Sequence, residues 1–338
     1  MKHWQQQSLE DRLNILNITS ERTGLPADVI EKDWWVTATL YALSKTKHFP
    51  LMAFKGGTSL SKGYGLINRF SEDIDISLAR QGNFSISNPS GNQLNKAKRK
   101  ARHYIIRELP LELDAVFKEM GVSDYSINPE ISKLDRDSNV KELSATTNPS
   151  TIFVIYDSIV PKVSKYFEPR VKIEIGCMNM EEPVEDKSIY SMLSMDMKGD
   201  EDMMVNFSTV LPSRTFLEKI FLLHEEFQKL NPRSMRMSRH LYDIEKLMDS
   251  AYGTAIDDKE LYDNIVTHRS IFNKMEHVDY ETHKRETVSF LPPKSIIAEW
   301  EKDYESLKSI FIFDTNPLSF PELISRMEEL QARIRRIK

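Results

Sequence analysis

Residues Asp73-Ile-Asp-Ile-Ser-Leu78 alternate strictly between polar and apolar. Successive side chains of an extended chain point to opposite faces, so this run predicts a strand. Ile74, Ile76 and Leu78 take its buried face, and Asp73, Asp75 and Ser77 take the other. Both carboxylates then project from one face. Two carboxylates that close repel each other unless a cation lies between them, and hard oxygen ligands select Mg²⁺ or Mn²⁺. Asp-x-Asp alone equally suits a solvated strand face, so its surroundings decide.

Upstream stands Phe54-Lys-Gly-Gly-Thr-Ser-Leu-Ser-Lys-Gly-Tyr-Gly65. A strand is expected over Leu51–Phe54, followed by a turn at Lys55–Ser59. Adjacent glycines let a backbone turn sharply and approach a ligand closely. A helix beginning at Thr58 offers open N–H groups, with the Thr58 and Ser59 hydroxyls, to a phosphate; Lys62 follows one turn later. The spacing is not that of a P-loop.

The rest of the chain sorts into an α+β pattern. Pro26, Asp28 and Glu31 suit a helix start, and Val29, Ile30, Trp34, Ala38 and Tyr41 recur at helical spacing. A Gly/Asn/Ser-rich loop (81–92) leads to a helix near Gln93. Strands are expected at Thr151–Tyr156 and Arg170–Gly176, and the acidic stretches 181–186 and 200–202 read as loops. From Pro212 onward the pattern is helical, with Phe216, Ile220, Leu223 and Phe227 on one apolar face. The expected division is an N-terminal helical segment (1–45), a mixed-sheet core (46–180) and a mainly helical C-terminal domain (181–338).

Composition narrows the class. The chain has 338 residues, 40% hydrophobic and 29% charged, which fits a globular protein of about two domains. Its net charge of −5 argues against a surface coated in positive charge. A single cysteine, Cys177, excludes an internal disulfide and a Cys-rich zinc site. No apolar run approaches the ~18 residues of a membrane span. The polar Met1–Gln7 segment is unlike a signal peptide, so a cytoplasmic protein with no membrane partner is expected.

Taken together, Gly56-Gly57-Thr58-Ser59-Leu-Ser-Lys62 and Arg69-Phe-Ser-Glu-Asp73-Ile-Asp75 resemble the first two motifs of the AbiEii/AbiGii toxin family. These are nucleotidyltransferases of the DNA polymerase β-like superfamily, to which the MenT toxins also belong. Glu31-Lys-Asp-Trp-Trp-Val36 is similar to the family's pre-strand helix. Arg214 with Lys219, and Arg239-His-Leu-Tyr-Asp243, resemble its third and fourth motifs. The resemblance implies a polymerase β-like core with a helical domain completing the active site. It also implies an enzyme that moves a nucleoside monophosphate from an NTP to an acceptor and releases pyrophosphate.

Residue by residue, the resemblance implies that Lys55, Gly56, Gly57, Thr58, Ser59 and Lys62 bind the nucleotide. Asp73 and Asp75 would hold Mg²⁺ or Mn²⁺, and Lys219 would aim its charge at the phosphates. Asp243 would orient Lys219 or the nucleotide, although Arg239 and Asp243 at i,i+4 also suit an ordinary ion pair. Glu174 is the candidate third carboxylate, joining Asp73 and Asp75 at the metal and activating the attacking hydroxyl, because it alternates with Val171, Ile173 and Ile175. The same pattern suits a solvent-facing carboxylate beside Lys172.

Lys96, Lys98, Arg99, Lys100 and Arg102 form the densest basic run. It reads either as a solvated helix face or as a landing strip for an RNA backbone. By resemblance the acceptor is RNA, expected at the 3′ end of tRNA, with translation blocked as a result. The chain would be the toxin of a bacterial toxin–antitoxin pair, of a kind used in phage defence, with a cognate antitoxin as partner. A protein-modifying transferase and a nucleotide- or RNA-binding module without transfer are the rival readings.

Overall fold

A computed structural model describes residues 3–86, 90–135, 138–161, 168–180, 182–196 and 203–337. Contacts divide the chain into two units, Met1–Gly63 with Glu72–Thr209, and Tyr64–Ser71 with Val210–Lys338. The fold is α+β, as the alternating and helical patterns predict.

The first unit is built on a seven-stranded mixed sheet ordered β3-β6-β7-β2-β1-β9-β8. Its strands are β1 (Met52–Lys55), β2 (Asp73–Leu78), β3 (Tyr125–Pro129), β6 (Ser150–Tyr156), β7 (Arg170–Gly176), β8 (Val184–Ile189) and β9 (Val205–Val210). A separate hairpin pairs β4 (Ser132–Leu134) with β5 (Val140–Glu142). At the centre, β2 runs antiparallel to β1 and parallel to β7. Its Ile74, Ile76 and Leu78 are fully buried, as alternation requires.

Four longer helices accompany this sheet: α1 (Leu9–Thr23), α2 (Ala27–Ser44), α4 (Gly91–His103) and α5 (Leu109–Glu119). A three-residue turn, α3 (Gly56–Thr58), continues as a wider turn through Gly63. Helix α2 is the core of the unit. Every residue from Asp28 to Leu40 is buried, so the helix has no solvent face there. Trp35 stacks on Tyr156 at 4.7 Å and meets Trp34 edge-on at 5.1 Å.

The second unit is helical: α6 (Pro212–Glu226), α7 (Ser238–Met248), α8 (Lys259–Phe272), α9 (Ile297–Ile310) and α10 (Phe320–Arg336). Phe216, Leu217, Ile220 and Phe221 of α6 are fully buried, as are Leu241, Ile244 and Leu247 of α7. The excursion Tyr64–Ser71 belongs here because its backbone pairs with the segment after α9. Phe70 N–H donates to Phe311 O at 2.8 Å, and Phe313 N–H to Asn68 O at 2.9 Å.

Two differences from the sequence reading have a common cause. The sheet unit extends to Thr209 rather than to 180, because β8 and β9 complete the sheet. β8 begins inside the acidic stretch 181–186 that reads as loop or excursion. A strand reading Val-Glu-Asp-Lys-Ser-Ile at the sheet edge buries too little to show alternation. Glu181 and residues 200–202 of those stretches, and residues 87–89 of the loop before α4, lie outside the described residues. No described helix is long and apolar enough to cross a membrane.

Candidate active site

β1 delivers the chain into Gly56, whose φ of +82° lies in the left-handed region that glycine enters at little cost. The position tolerates no side chain for a second reason, since a Cβ there would stand 2.2 Å from Asp75 Oδ2. The turn is held internally. Thr58 Oγ1 donates to the carbonyl of Asp73, and Ser59 Oγ to that of Gly56 at 2.9 Å. Gly57, Thr58 and Ser59 are buried as whole residues, so these side chains brace the turn from within, and Lys55 and Gly56 are its half-buried part.

The strand register sets the charges in rows. Asp75 lies directly opposite Lys55 of β1 and Glu174 of β7, and Asp73 lies opposite Lys172. One face of the central three strands therefore carries Asp73, Asp75, Glu174, Lys55 and Lys172. Opposite charges facing across a ladder stabilise it modestly. Lys172 Nζ also bonds Glu174 Oε1 at 2.9 Å, so Glu174 stands between Lys172 and Asp75 on this face. Lys55 Nζ is 3.5 Å from Asn179 Oδ1.

Among the described residues no three His, Cys, Asp or Glu side chains are grouped so as to hold a metal ion, so Glu174 does not join Asp73 and Asp75 in one cluster. The donor set nonetheless suits Mg²⁺. That ion is commonly held by one or two carboxylates, with water and substrate phosphate supplying the remaining oxygens. Asp73 and Asp75, both half-buried on one face, meet this requirement.

Lys62 is placed differently from a phosphate ligand. Its ammonium pairs with Asp33 of α2, whose other oxygen accepts the Met192 N–H at 2.7 Å. Both partners are buried, so Lys62 fixes the end of the turn.

In the helical unit Lys219 and Asp243 come together, with Nζ 2.8 Å from Oδ2. Arg69 completes the cluster. Its Nε and Nη2 bond the two Asp243 oxygens at 2.7 Å each, a bidentate fork. Asp243 is 0% exposed and Lys219 is 7% exposed. Burial opposes the Asp243 charge, but the two cations overcome it and hold its carboxyl well below the usual range. For Lys219 burial prevails, and its pKa falls despite the attraction of Asp243. Burial, then the charges of Lys219 and Arg239, push His240 far down, leaving it a neutral imidazole. Arg69 stands inside the second motif without an assigned role in the sequence reading. Nothing local reveals a partner 174 residues away.

The basic run divides. Lys96, Arg99 and Lys100 are exposed on α4 and Lys98 is half-exposed. Arg102 turns inward, 4% exposed, and donates to Ser150 Oγ at 3.3 Å and Glu130 O at 3.2 Å. It anchors α4 and is not part of the surface charge.

Comparison with known proteins agrees with this architecture. The chain is similar to the solved structure of MenT4, the nucleotidyltransferase toxin Rv2826c from Mycobacterium tuberculosis H37Rv. The two share 15% identity and a TM-score of 0.54, over 96% of this chain and 90% of that one. JHP933 from Helicobacter pylori aligns at 15% identity and a TM-score of 0.42, over 92% of this chain and 93% of that one. No curated protein matches the chain in sequence. The family described as "Nucleotidyl transferase AbiEii toxin, Type IV TA system" matches residues 38–326. That match spans most of the chain, and the chain belongs to the AbiEii nucleotidyltransferase toxin family.

Proposed function

We propose that this chain is the toxin of a toxin–antitoxin pair and transfers a nucleoside monophosphate from an NTP to RNA, at the 3′ end of tRNA, in the cytoplasm. The observation that carries the reading is the packing of Gly56 against Asp75. It joins the glycine turn to the pair Asp73 and Asp75 on one strand face.

In this reading Asp73 and Asp75 hold a divalent cation, Mg²⁺ or Mn²⁺. Bound there, the ion would screen phosphate charge and lower the pKa of the acceptor hydroxyl. The backbone of Gly56–Ser59 takes the triphosphate, with Lys55 adding charge beside it. Glu174 draws the proton from the attacking hydroxyl. The new O–P bond forms at the α-phosphorus as its bond to the bridging oxygen breaks, and pyrophosphate leaves. Within the helical unit Asp243, itself held by Arg69, fixes the direction of Lys219, the charge that family resemblance assigns to the phosphates. The exposed Lys96, Lys98, Arg99 and Lys100 meet the acceptor backbone. A modified tRNA 3′ end can no longer be aminoacylated, which stops translation, and a partner antitoxin restrains the enzyme.

The experiment is incorporation of NTP labelled at the α-phosphorus into total RNA and, in parallel, into total protein. Label in RNA with dependence on Mg²⁺ or Mn²⁺ supports the reading. Label confined to protein assigns a different acceptor, and none in either removes the transfer.

A further inference from the structure

Helix α2 carries three consecutive charges, Glu31-Lys32-Asp33, and each is no more than 3% exposed. Consecutive helix residues are about 100° apart, so the three fan over roughly 200° of the helix surface. Each finds a different partner. Glu31 accepts from Ser158 Oγ and from Ile159 N–H at 3.0 Å. Lys32 pairs with the Glu72 carboxylate and donates to Glu168 O at 3.0 Å. Asp33 holds Lys62 and Met192 N–H.

These partners share one end of the sheet. Ser158 and Ile159 follow β6, Glu168 precedes β7, Glu72 precedes β2, and Lys62 lies in the turn after β1. With β2 and β7 parallel to each other and antiparallel to β1 and β6 respectively, all four lie at the same edge. Buried ion pairs contribute little net stability, because desolvation offsets the attraction. Two side by side, next to a buried Glu31 carboxylate held by a hydroxyl and an N–H, point to a need for fixed geometry.

Asp73 shows where that need falls. It is the first residue of β2, preceded by irregular chain, and strand ends fray. Two bonds counter this. Thr58 Oγ1 holds the Asp73 carbonyl, and Lys32 holds the adjacent Glu72. The same ammonium binds the chain ahead of β7, the strand of Glu174.

We propose that Lys32 is a positioning residue for the paired carboxylates: it ties the start of β2 to the start of β7 and so sets the spacing of Asp73 and Asp75 against Glu174. The inference rests on the assignment of Asp73 and Asp75 as the cation-holding pair. Lys32 acts through the Glu72 carboxylate and the Glu168 carbonyl, not through substrate.

The test uses the full chain, with Mn²⁺ alone as probe, its binding followed by electron paramagnetic resonance. Loss of an outer partner of a metal ligand costs about 10-fold or more in affinity. Lys32→Met should weaken Mn²⁺ binding by about that factor and lower kcat, with the KM for NTP nearly unchanged. Lys32→Arg should recover part of both. Because Lys32→Met leaves Glu72 without its cation, the double variant Lys32→Met/Glu72→Gln accompanies it. That variant should regain the unfolding temperature but not the Mn²⁺ affinity. Wild-type Mn²⁺ affinity in the folded double variant would overturn the positioning role. Asp73→Asn separates the two claims: if it too binds Mn²⁺ normally, the assignment of the cation site itself fails.

Discussion

Gly56 and Asp75 are packed so closely that a single carbon added to the first would displace the carboxylate of the second, its Cβ standing 2.2 Å from Oδ2. The backbone at Gly56 is also left-handed, at φ +82°. Gly56→Ala therefore moves the turn and the carboxylate together. Misplacing a reacting group by about 1 Å costs on the order of 100-fold in rate. Transfer should fall at least that far, with the chain still folded by circular dichroism. A Gly56→Ala protein with near-normal kcat would show that the turn and Asp75 do not act as one unit.

Lys219, Asp243 and Arg69 predict an order of effects. Asp243→Asn removes the carboxylate between two buried cations, and breaking such a pair costs about 3–5 kcal/mol. Lys219→Met leaves Asp243 its bidentate Arg69, so the fold should hold while transfer is lost. Thermal unfolding and transfer assays on both variants check this. Equal destabilisation by the two would mean that Lys219 is chiefly structural.

Acid stability should depend on Glu226 at the end of α6. Burial opposes its charge, but bonds from Arg233 and Lys229, the closest at 2.6 Å, bring its pKa from 4.5 down to about 2. A lowered carboxylate pKa gives stability that is full above the unfolded value and is lost as pH falls toward the folded one. The wild-type unfolding midpoint should drop between pH 4.5 and about 2, and Glu226→Gln should flatten that part of the curve. Identical slopes would remove Glu226 from the account.

The α4 charges divide into two kinds of prediction. Reversing Lys96 and Arg99 to Glu should weaken RNA binding and flatten its salt dependence, with NTP binding unchanged and the fold intact. Arg102→Ala should instead lower the unfolding temperature, because it removes donors to Ser150 and Glu130. Filter binding across a salt series, with calorimetry, separates the two. Normal RNA binding by the reversed protein would make the run a solvated face.

What the sequence discloses follows from how local each signal is. β2 and β7 are legible to the residue, since alternation marks a half-buried strand and both occupy the sheet centre. The turn at Gly56 is legible because glycine there answers a local backbone demand. β8 is hidden because it is polar and peripheral. Lys62 reads as a phosphate ligand from its place one turn after Thr58, yet its partner Asp33 lies 29 residues upstream. Arg102 belongs to a basic run by sequence and to the interior by helix phase: Ala97 and Ala101 mark the buried face it adjoins. Pairings such as Arg69 with Asp243 exist only in the folded chain.

The central claim is that Asp73 and Asp75 serve nucleotidyl transfer to RNA. The most direct measurement incubates the wild type, Asp73→Asn and Asp75→Asn with each NTP labelled at the α-phosphorus, purified tRNA and Mg²⁺. The account predicts labelled tRNA with the wild type, none above background with either variant, and unfolding temperatures within a few degrees of wild type for both. Labelled tRNA from either variant at the wild-type rate would contradict it.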